Sequence, residues 1–148
     1  MGTTLGVYKQ VICSNSLNAM HYSFRKKMIG TDFSAVVEMT KKALSEQGFG
    51  ILTEIDVKAT LKKKLEVEYE NYIILGACNP PLAYRALQSE KEIGLFLPCN
   101  VIVYQAASDI FVSSILPTVA MTGIDNPALD EIAKEAEGKL HLAIESIY

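Results

Sequence analysis

Apolar residues recur along this chain with two different periods, which separate predicted strands from predicted helices. In residues 21–29 apolar and basic side chains alternate, as they do in a half-buried strand. In residues 32–47 the apolar side chains follow helical spacing, so that one stripe faces a core. Thr31 or Asp32 can cap this helix, and Gly48 can end it. The first predicted elements are therefore a strand and a long helix.

A second strand is predicted at residues 50–57, where polar and apolar positions alternate again. Its predicted core-facing side contains Ile51, Thr53, Ile55 and Val57. Glu54 and Asp56 fall on the opposite side, which such a pattern usually leaves exposed to solvent. Two carboxylates placed two residues apart also lie close enough to perturb each other, as acid and base pairs do. Glu54 and Asp56 are therefore candidate site residues as well as candidate surface residues.

Three further apolar runs of strand length follow in the second half of the chain. They predict strands near residues 72–78, 99–105 and 110–116. The middle strand belongs to a strand-like run, residues 95–104, that Pro98 interrupts. A turn at residues 107–109 joins the last two strands, which predicts a hairpin.

Helical patterns separate and follow these strands. Short helices are predicted at residues 58–65 and 80–87, and Asn126 with Pro127 opens a long helix over residues 127–146. Helices that bracket a run of strands indicate an α+β domain. We expect a mostly antiparallel sheet with the helices packed on one face.

Two of the predicted strands are apolar on both faces, at residues 72–75 and 101–104. One layer of helices in a domain of this size covers only one of those faces. A second copy of the chain would bury the apolar side chains on the uncovered face, so we expect a homodimer.

Composition narrows the class of protein without identifying a reaction. The chain has 148 residues, is 49% apolar and carries a net charge of −3, which fits an ordinary globular domain that binds neither nucleic acid nor membranes. Three cysteines are too few for a secreted disulfide scaffold, so a cytoplasmic location is expected. Residues 1–19 differ in composition and are predicted to be an extension to a single domain at residues 20–148.

The candidate chemistry lies in two short motifs that each contain a Cys-Asn pair beside a proline. The pairs are Cys78-Asn79 and Cys99-Asn100, each at the border of an apolar run. Two such cysteines can be a redox pair, metal ligands or small buried residues. The asparagines can clamp strand ends through backbone hydrogen bonds or hold a ligand. His21 and His141 show no metal-ligand spacing, so no metal site is predicted.

Three motifs in the same order resemble the bacterial and archaeal domain-of-unknown-function family 302. They read GFGILTEIDVKATL at residues 48–61, LGACNP at residues 75–80 and LPCNV at residues 97–101. The resemblance extends from Tyr22 to the C-terminus. It implies a strand-helix-four-strand-helix fold of the TATA-binding-protein-like type and a homodimer, and it implies no established activity or cofactor.

The leading functional hypothesis is a protein that binds a small, partly apolar ligand near the two Cys-Asn motifs. This hypothesis requires a cavity of at least about 300 Å³ with a few convergent polar groups. The first alternative is a thiol, redox or metal-dependent enzyme that uses Cys78 and Cys99, which requires depressed thiol pKa values. The second alternative is a structural or interaction module, which requires only a large apolar outer surface. The expected ligand-site residues are Cys78, Asn79, Cys99, Asn100, Glu54 and Asp56.

Overall fold

A computed structural model describes residues 21–148, and the predicted extension lies outside the described residues. The strands are β1 (Ser23–Met28), β2 (Gly50–Asp56), β3 (Tyr72–Cys78), β4 (Cys99–Ala106) and β5 (Asp109–Ile115). They form one sheet in the order β1-β5-β4-β3-β2, and each neighbouring pair is antiparallel. β4 and β5 form the predicted hairpin. The α+β fold expected from the sequence is confirmed.

The helices begin where the sequence offers caps. They are α1 (Phe33–Glu46), α2 (Val57–Leu65), α3 (Pro80–Ser89), a 3-10 helix (Lys91–Phe96), α4 (Pro117–Ala120) and α5 (Pro127–Glu145). Asp32 caps α1 by accepting a hydrogen bond of 3.1 Å from the backbone N–H of Ala35. Asn126 caps α5 in the same way, at 3.1 Å from the N–H of Ala128. Among residues 21–148 the structure contains no helix long and apolar enough to cross a membrane.

The main core lies between the sheet and the two longest helices, α1 and α5. Its fully buried side chains include Val36, Leu44, Leu75, Val101, Val103, Val112, Leu140 and Ile144. A second apolar cluster forms where α3 and α4 pack on the N-terminal part of α5 and the 3-10 helix packs on α3. It contains Leu82, Ile93, Met121, Leu129 and Ile132. The main core covers one face of the sheet, and the second cluster packs at one end of it.

The prediction of a strand-like run over residues 95–104 is wrong for its first part. Residues 95 and 96 belong to the 3-10 helix, and pairing with β3 begins at Cys99, which lies opposite Ala77. The buried side chain of Ile93 anchors the 3-10 helix in the second apolar cluster. Packing of Ile93 in the second apolar cluster therefore overrides the local strand preference of this segment.

The predicted orientation of β2 is also wrong for its second half. A β-bulge between Ile51 and Thr53 adds one residue, which reverses the alternation beyond it. Ile51 packs against the core, whereas Ile55 pairs with Ile74 on the other face and is 46% exposed. Glu54 consequently lies on the side of the sheet that carries the helices.

The second face of the sheet, opposite α1 and α5, is named here the open face. By strand register it contains Arg25, Tyr72, Ile74, Gly76, Asn100, Ile102, Tyr104, Phe111 and Ser113. The segment between α2 and β3 lies beside this face and contributes Tyr69 and Glu70 to it. The helix before this segment, α2, has no buried residue. Apolar side chains on the open face stay partly exposed in the described chain, among them Ile55 at 46%.

Candidate functional site

A depression of about 570 Å³ lies on the open face of the sheet. Four of the five strands and the segment before β3 form its floor and walls. Its lining includes Tyr22, Arg25, Tyr69, Glu70, Tyr72, Asn100, Ile102, Tyr104 and Ile115. The combination of aromatic and aliphatic surface with a few polar groups is typical of sites for small molecules.

A row of aromatic rings crosses the open face. Register places Tyr104 opposite both Tyr72 and Phe111, so the three side chains stand side by side on neighbouring strands. The ring centroids of Tyr72 and Tyr104 are 5.6 Å apart, and those of Tyr104 and Phe111 are 5.3 Å apart. Tyr69 extends the row, with its centroid 6.4 Å from that of Tyr72. Burial, and to a smaller degree the neighbouring tyrosines, raise the pKa of Tyr72, which keeps its phenol neutral.

One cation and one anion lie at this depression. The guanidinium of Arg25 lies over the ring of Phe111, 4.8 Å from its centroid, and Nη1 donates a hydrogen bond of 3.1 Å to the hydroxyl of Tyr104. The carboxylate of Glu70 accepts a hydrogen bond of 3.1 Å from the backbone N–H of Ala107, in the hairpin turn. The depression can therefore hold a flat apolar body and pair it with charged or polar groups.

Cys78 and Cys99 line a different cavity, between the sheet and the second apolar cluster. Its volume is about 30 Å³, enough for about one water molecule. Both thiols are free. Burial raises the pKa of Cys78, and burial together with the nearby Cys78 raises the pKa of Cys99 to about 11. A reactive or redox-active cysteine requires the opposite shift, so this environment suits neutral, structural thiols.

The two asparagines of the motifs have separate roles. Asn79 caps α3, since its side-chain oxygen accepts a hydrogen bond of 3.3 Å from the N–H of Leu82. Its amide nitrogen lies 3.5 Å from the carbonyl oxygen of Gln47, at the end of α1. Asn100 is exposed on the open face, opposite Gly76, and lines the depression there. The structure thus brings Cys78, Asn79 and Cys99 together and separates Asn100 from them.

Glu54 and Asp56 each contact a different helix. The carboxylate of Glu54 lies 2.7 Å from the ammonium of Lys41 on α1, and this hydrogen bond is the main cause of a raised pKa for Lys41. Asp56 caps α2 by accepting a hydrogen bond of 2.9 Å from the N–H of Ala59. Their contacts are those of residues that attach helices to an edge strand. No group of three or more His, Cys, Asp or Glu suited to a metal ion occurs within residues 21–148.

Sequence reasoning missed the aromatic row, although the hairpin contained a signal for it. In a hairpin with a two-residue loop, residues at equal distances from the loop lie opposite each other. Ala107 and Ser108 form the loop here, so Tyr104 and Phe111 are partners. The predicted turn spans residues 107–109 and is one residue longer, so it would set Phe111 opposite Gln105. The two-residue loop of the structure is what pairs Tyr104 with Phe111 on one face.

Comparison with known proteins agrees with the fold and the motifs. The family model described as domain of unknown function DUF302 matches residues 25–147. A similar solved structure is that of an uncharacterized conserved DUF302 protein from Bacillus stearothermophilus, with 28% sequence identity and a TM-score of 0.81. The match covers 87% of this chain and 100% of that one. No curated protein matches this chain. Since the family model spans most of its length, this chain belongs to the DUF302 family.

Proposed function

We propose that this protein binds a small, partly apolar molecule in the depression on the open face. The observation that carries the proposal is the volume of about 570 Å³, which exceeds the roughly 300 Å³ that small-molecule sites require. The cavity beside Cys78 and Cys99 measures about 30 Å³ and is too small for such a ligand. The proposed site retains Asn100 from the motifs and includes the three tyrosines of the aromatic row, Tyr69, Tyr72 and Tyr104.

The two alternative functions receive less support. A thiol enzyme needs a nucleophilic thiolate at an accessible surface, whereas the pKa values of Cys78 and Cys99 are both raised by burial. A module without a ligand site would leave the mixed polar and aromatic lining of the depression without a role. In a ligand site, the aromatic side chains of that lining would contact the apolar body of the ligand and the polar groups would orient it.

We expect a neutral flat aromatic probe, 2-naphthol, to bind the full chain with a Kd on the order of 1 mM, as the affinity per atom of small ligands allows. Ile102 lies in the central strand β4 and lines the depression. Replacing Ile102 with Glu puts a charge against the apolar body of the ligand. We expect this change to weaken binding at least about fivefold, because an unpaired charge is costly to desolvate. NMR titration measures the Kd.

The matched control is Leu142→Glu, which makes the same chemical change on α5, where Leu142 is 57% exposed. Its Kd should stay within about twofold of the wild-type value. Thermal melting checks that both variants fold, and Ile102→Ala replaces Ile102→Glu if the latter does not. Equal weakening by substitutions at positions 102 and 142 would contradict the proposed site.

We further propose that a second copy of the chain covers the rim of the open face. Apolar side chains at this rim are unusually exposed, with Tyr22 at 67%, Tyr69 at 49% and Ile55 at 46%. Burying them between two copies would remove apolar surface from water. We therefore expect a dimer at tens of micromolar in sedimentation, and a shift toward monomer for Ile55→Lys. The control Leu95→Lys, at an 81% exposed position on the 3-10 helix, should remain dimeric. A monomeric wild type at high micromolar concentration would overturn this proposal.

A further inference from the structure

We infer that the ligand of the open face is a flat aromatic carboxylate whose anionic group pairs with Arg25. This inference rests on the proposed function, since it names the class of molecule that the same depression binds.

Arg25 differs from the other arginine of the chain in its partners. Arg85 forms an ion pair of 2.9 Å with Glu135 on the surface. Within residues 21–148, no carboxylate lies in ion-pair distance of Arg25, although it lines the depression on the open face. A guanidinium has five N–H donors, and among the described residues the one side-chain hydrogen bond of Arg25 is its donation to the Tyr104 hydroxyl. Most of its donors therefore remain available for a carboxylate, which the planar fork binds in a bidentate manner.

The position of Arg25 is set by the aromatic row. Its guanidinium lies over the ring of Phe111 and contacts the hydroxyl of Tyr104, so two neighbouring strands hold it in place. A ligand whose flat body lies along Ile102 and the tyrosine edges would place a carboxylate beside this guanidinium. The nearby Lys27 is paired with Asp109 at 3.0 Å, so that among residues 21–148 Arg25 is the cation available to a ligand at this end of the depression.

The same residues favour an anion over a cation. Cation recognition by an aromatic cage requires ring faces that point at the ligand. Here the rings of Tyr72, Tyr104 and Phe111 turn their faces to each other, with interplanar angles of 25° and 23°. The carboxylate of Glu70 is held at the hairpin turn, where one of its oxygens accepts a hydrogen bond from the backbone N–H of Ala107, whereas Arg25 pairs with Ser113, farther along β5 from that turn. The depression therefore offers a positive partner in Arg25, while the rings of Tyr72 and Tyr104 that line it stack on each other and not on a ligand.

Binding of three probes to the full chain tests the inference. The probes share a naphthalene ring system and differ in charge. They are 2-naphthoate, 2-naphthol and 2-naphthylmethylamine, which are anionic, neutral and cationic at pH 7. We expect 2-naphthoate to bind at least about fivefold more tightly than 2-naphthol, and the amine to bind most weakly. Arg25→Gln should remove the preference for 2-naphthoate while changing the Kd of 2-naphthol less than about twofold. Arg25→Lys, which keeps the charge without the fork, should retain part of the preference.

The control Lys27→Gln removes one positive charge from the same strand. The ratio of the Kd values for 2-naphthol and 2-naphthoate should stay within about twofold of the wild-type ratio. The inference alone is overturned if 2-naphthol binds but 2-naphthoate binds no more tightly, or if Lys27→Gln removes as much preference as Arg25→Gln. If none of the three probes binds, the proposed function fails as well, so the two failures are distinguishable.

Discussion

Replacing Gly76 with Ala is expected to lower the free energy of unfolding by about 1 to 3 kcal/mol, the usual cost of an overpacked site. Gly76 is buried in the middle of β3, where a Cβ atom would lie 2.1 Å from Oγ1 of Thr53 and 2.7 Å from Cγ of Pro98. Real atoms do not approach so closely, and the ring of Pro98 has little freedom to move. β2 or the segment before β4 must therefore shift, which disturbs pairing on both sides of β3.

Denaturant unfolding measures this loss, and two further variants show its cause. Gly138→Ala in α5 meets no atom within 4 Å and should stabilise the protein by about 0.5 to 1 kcal/mol through helix propensity. Thr53→Ala removes the nearest clash, so the double variant Gly76→Ala with Thr53→Ala should recover part of the loss. A Gly76→Ala protein as stable as the wild type would show that β2, β3 and Pro98 are not packed as described.

The second large effect is a loss of stability at alkaline pH that depends on Cys99. Burial is the main cause that raises the pKa of Cys99 from its ordinary value of 9.0 to about 11. Between these values the unfolded chain ionises the thiol while the folded protein keeps it neutral. The stabilisation from the neutral thiol is therefore complete below pH 9 and is lost as the pH rises toward 11. A shift of this size corresponds to about 2 to 3 kcal/mol.

Comparing the pH dependence of unfolding in wild type and Cys99→Ala isolates this contribution, because other groups that titrate above pH 9 are present in both proteins. Between pH 9 and pH 11 the free energy of unfolding should fall by about 2 to 3 kcal/mol more in the wild type than in Cys99→Ala. Parallel curves for the two proteins would mean that the Cys99 thiolate is not penalised by burial. In that case the thiol alternative would regain support.

The fold follows from the sequence because its elements have strong local signals. Caps at Asp32 and Asn126, the apolar stripes of α1 and α5, and the hairpin turn each act over a few residues, and the structure confirms them. The bulge in β2 has no comparable signal, since it depends on pairing with β3. One inserted residue exchanges the faces of Glu54 and Ile55, so the period of the sequence misleads beyond that point.

The candidate site is harder to predict from the sequence, because two similar motifs need not place all of their residues together. Cys78, Asn79 and Cys99 do line one cavity, yet the strand alternation places Asn100 on the opposite face. The depression depends on side chains from strands that are distant in sequence, such as Arg25 and Tyr104, which are 79 residues apart. Sequence periodicity indicates which residues share a face only when the pairing of strands is known.

The central claim is that the ligand site lies on the open face and not beside the twin cysteines, and NMR mapping tests it most directly. Amide chemical shifts of the full chain are followed as 2-naphthol and 2-naphthoate are added. The account predicts that the largest changes occur at Asn100, Ile102 and Tyr104 in β4 and at Ser113 in β5. Largest changes at Cys78, Cys99 and Met121, or small changes spread over the whole surface, would contradict it.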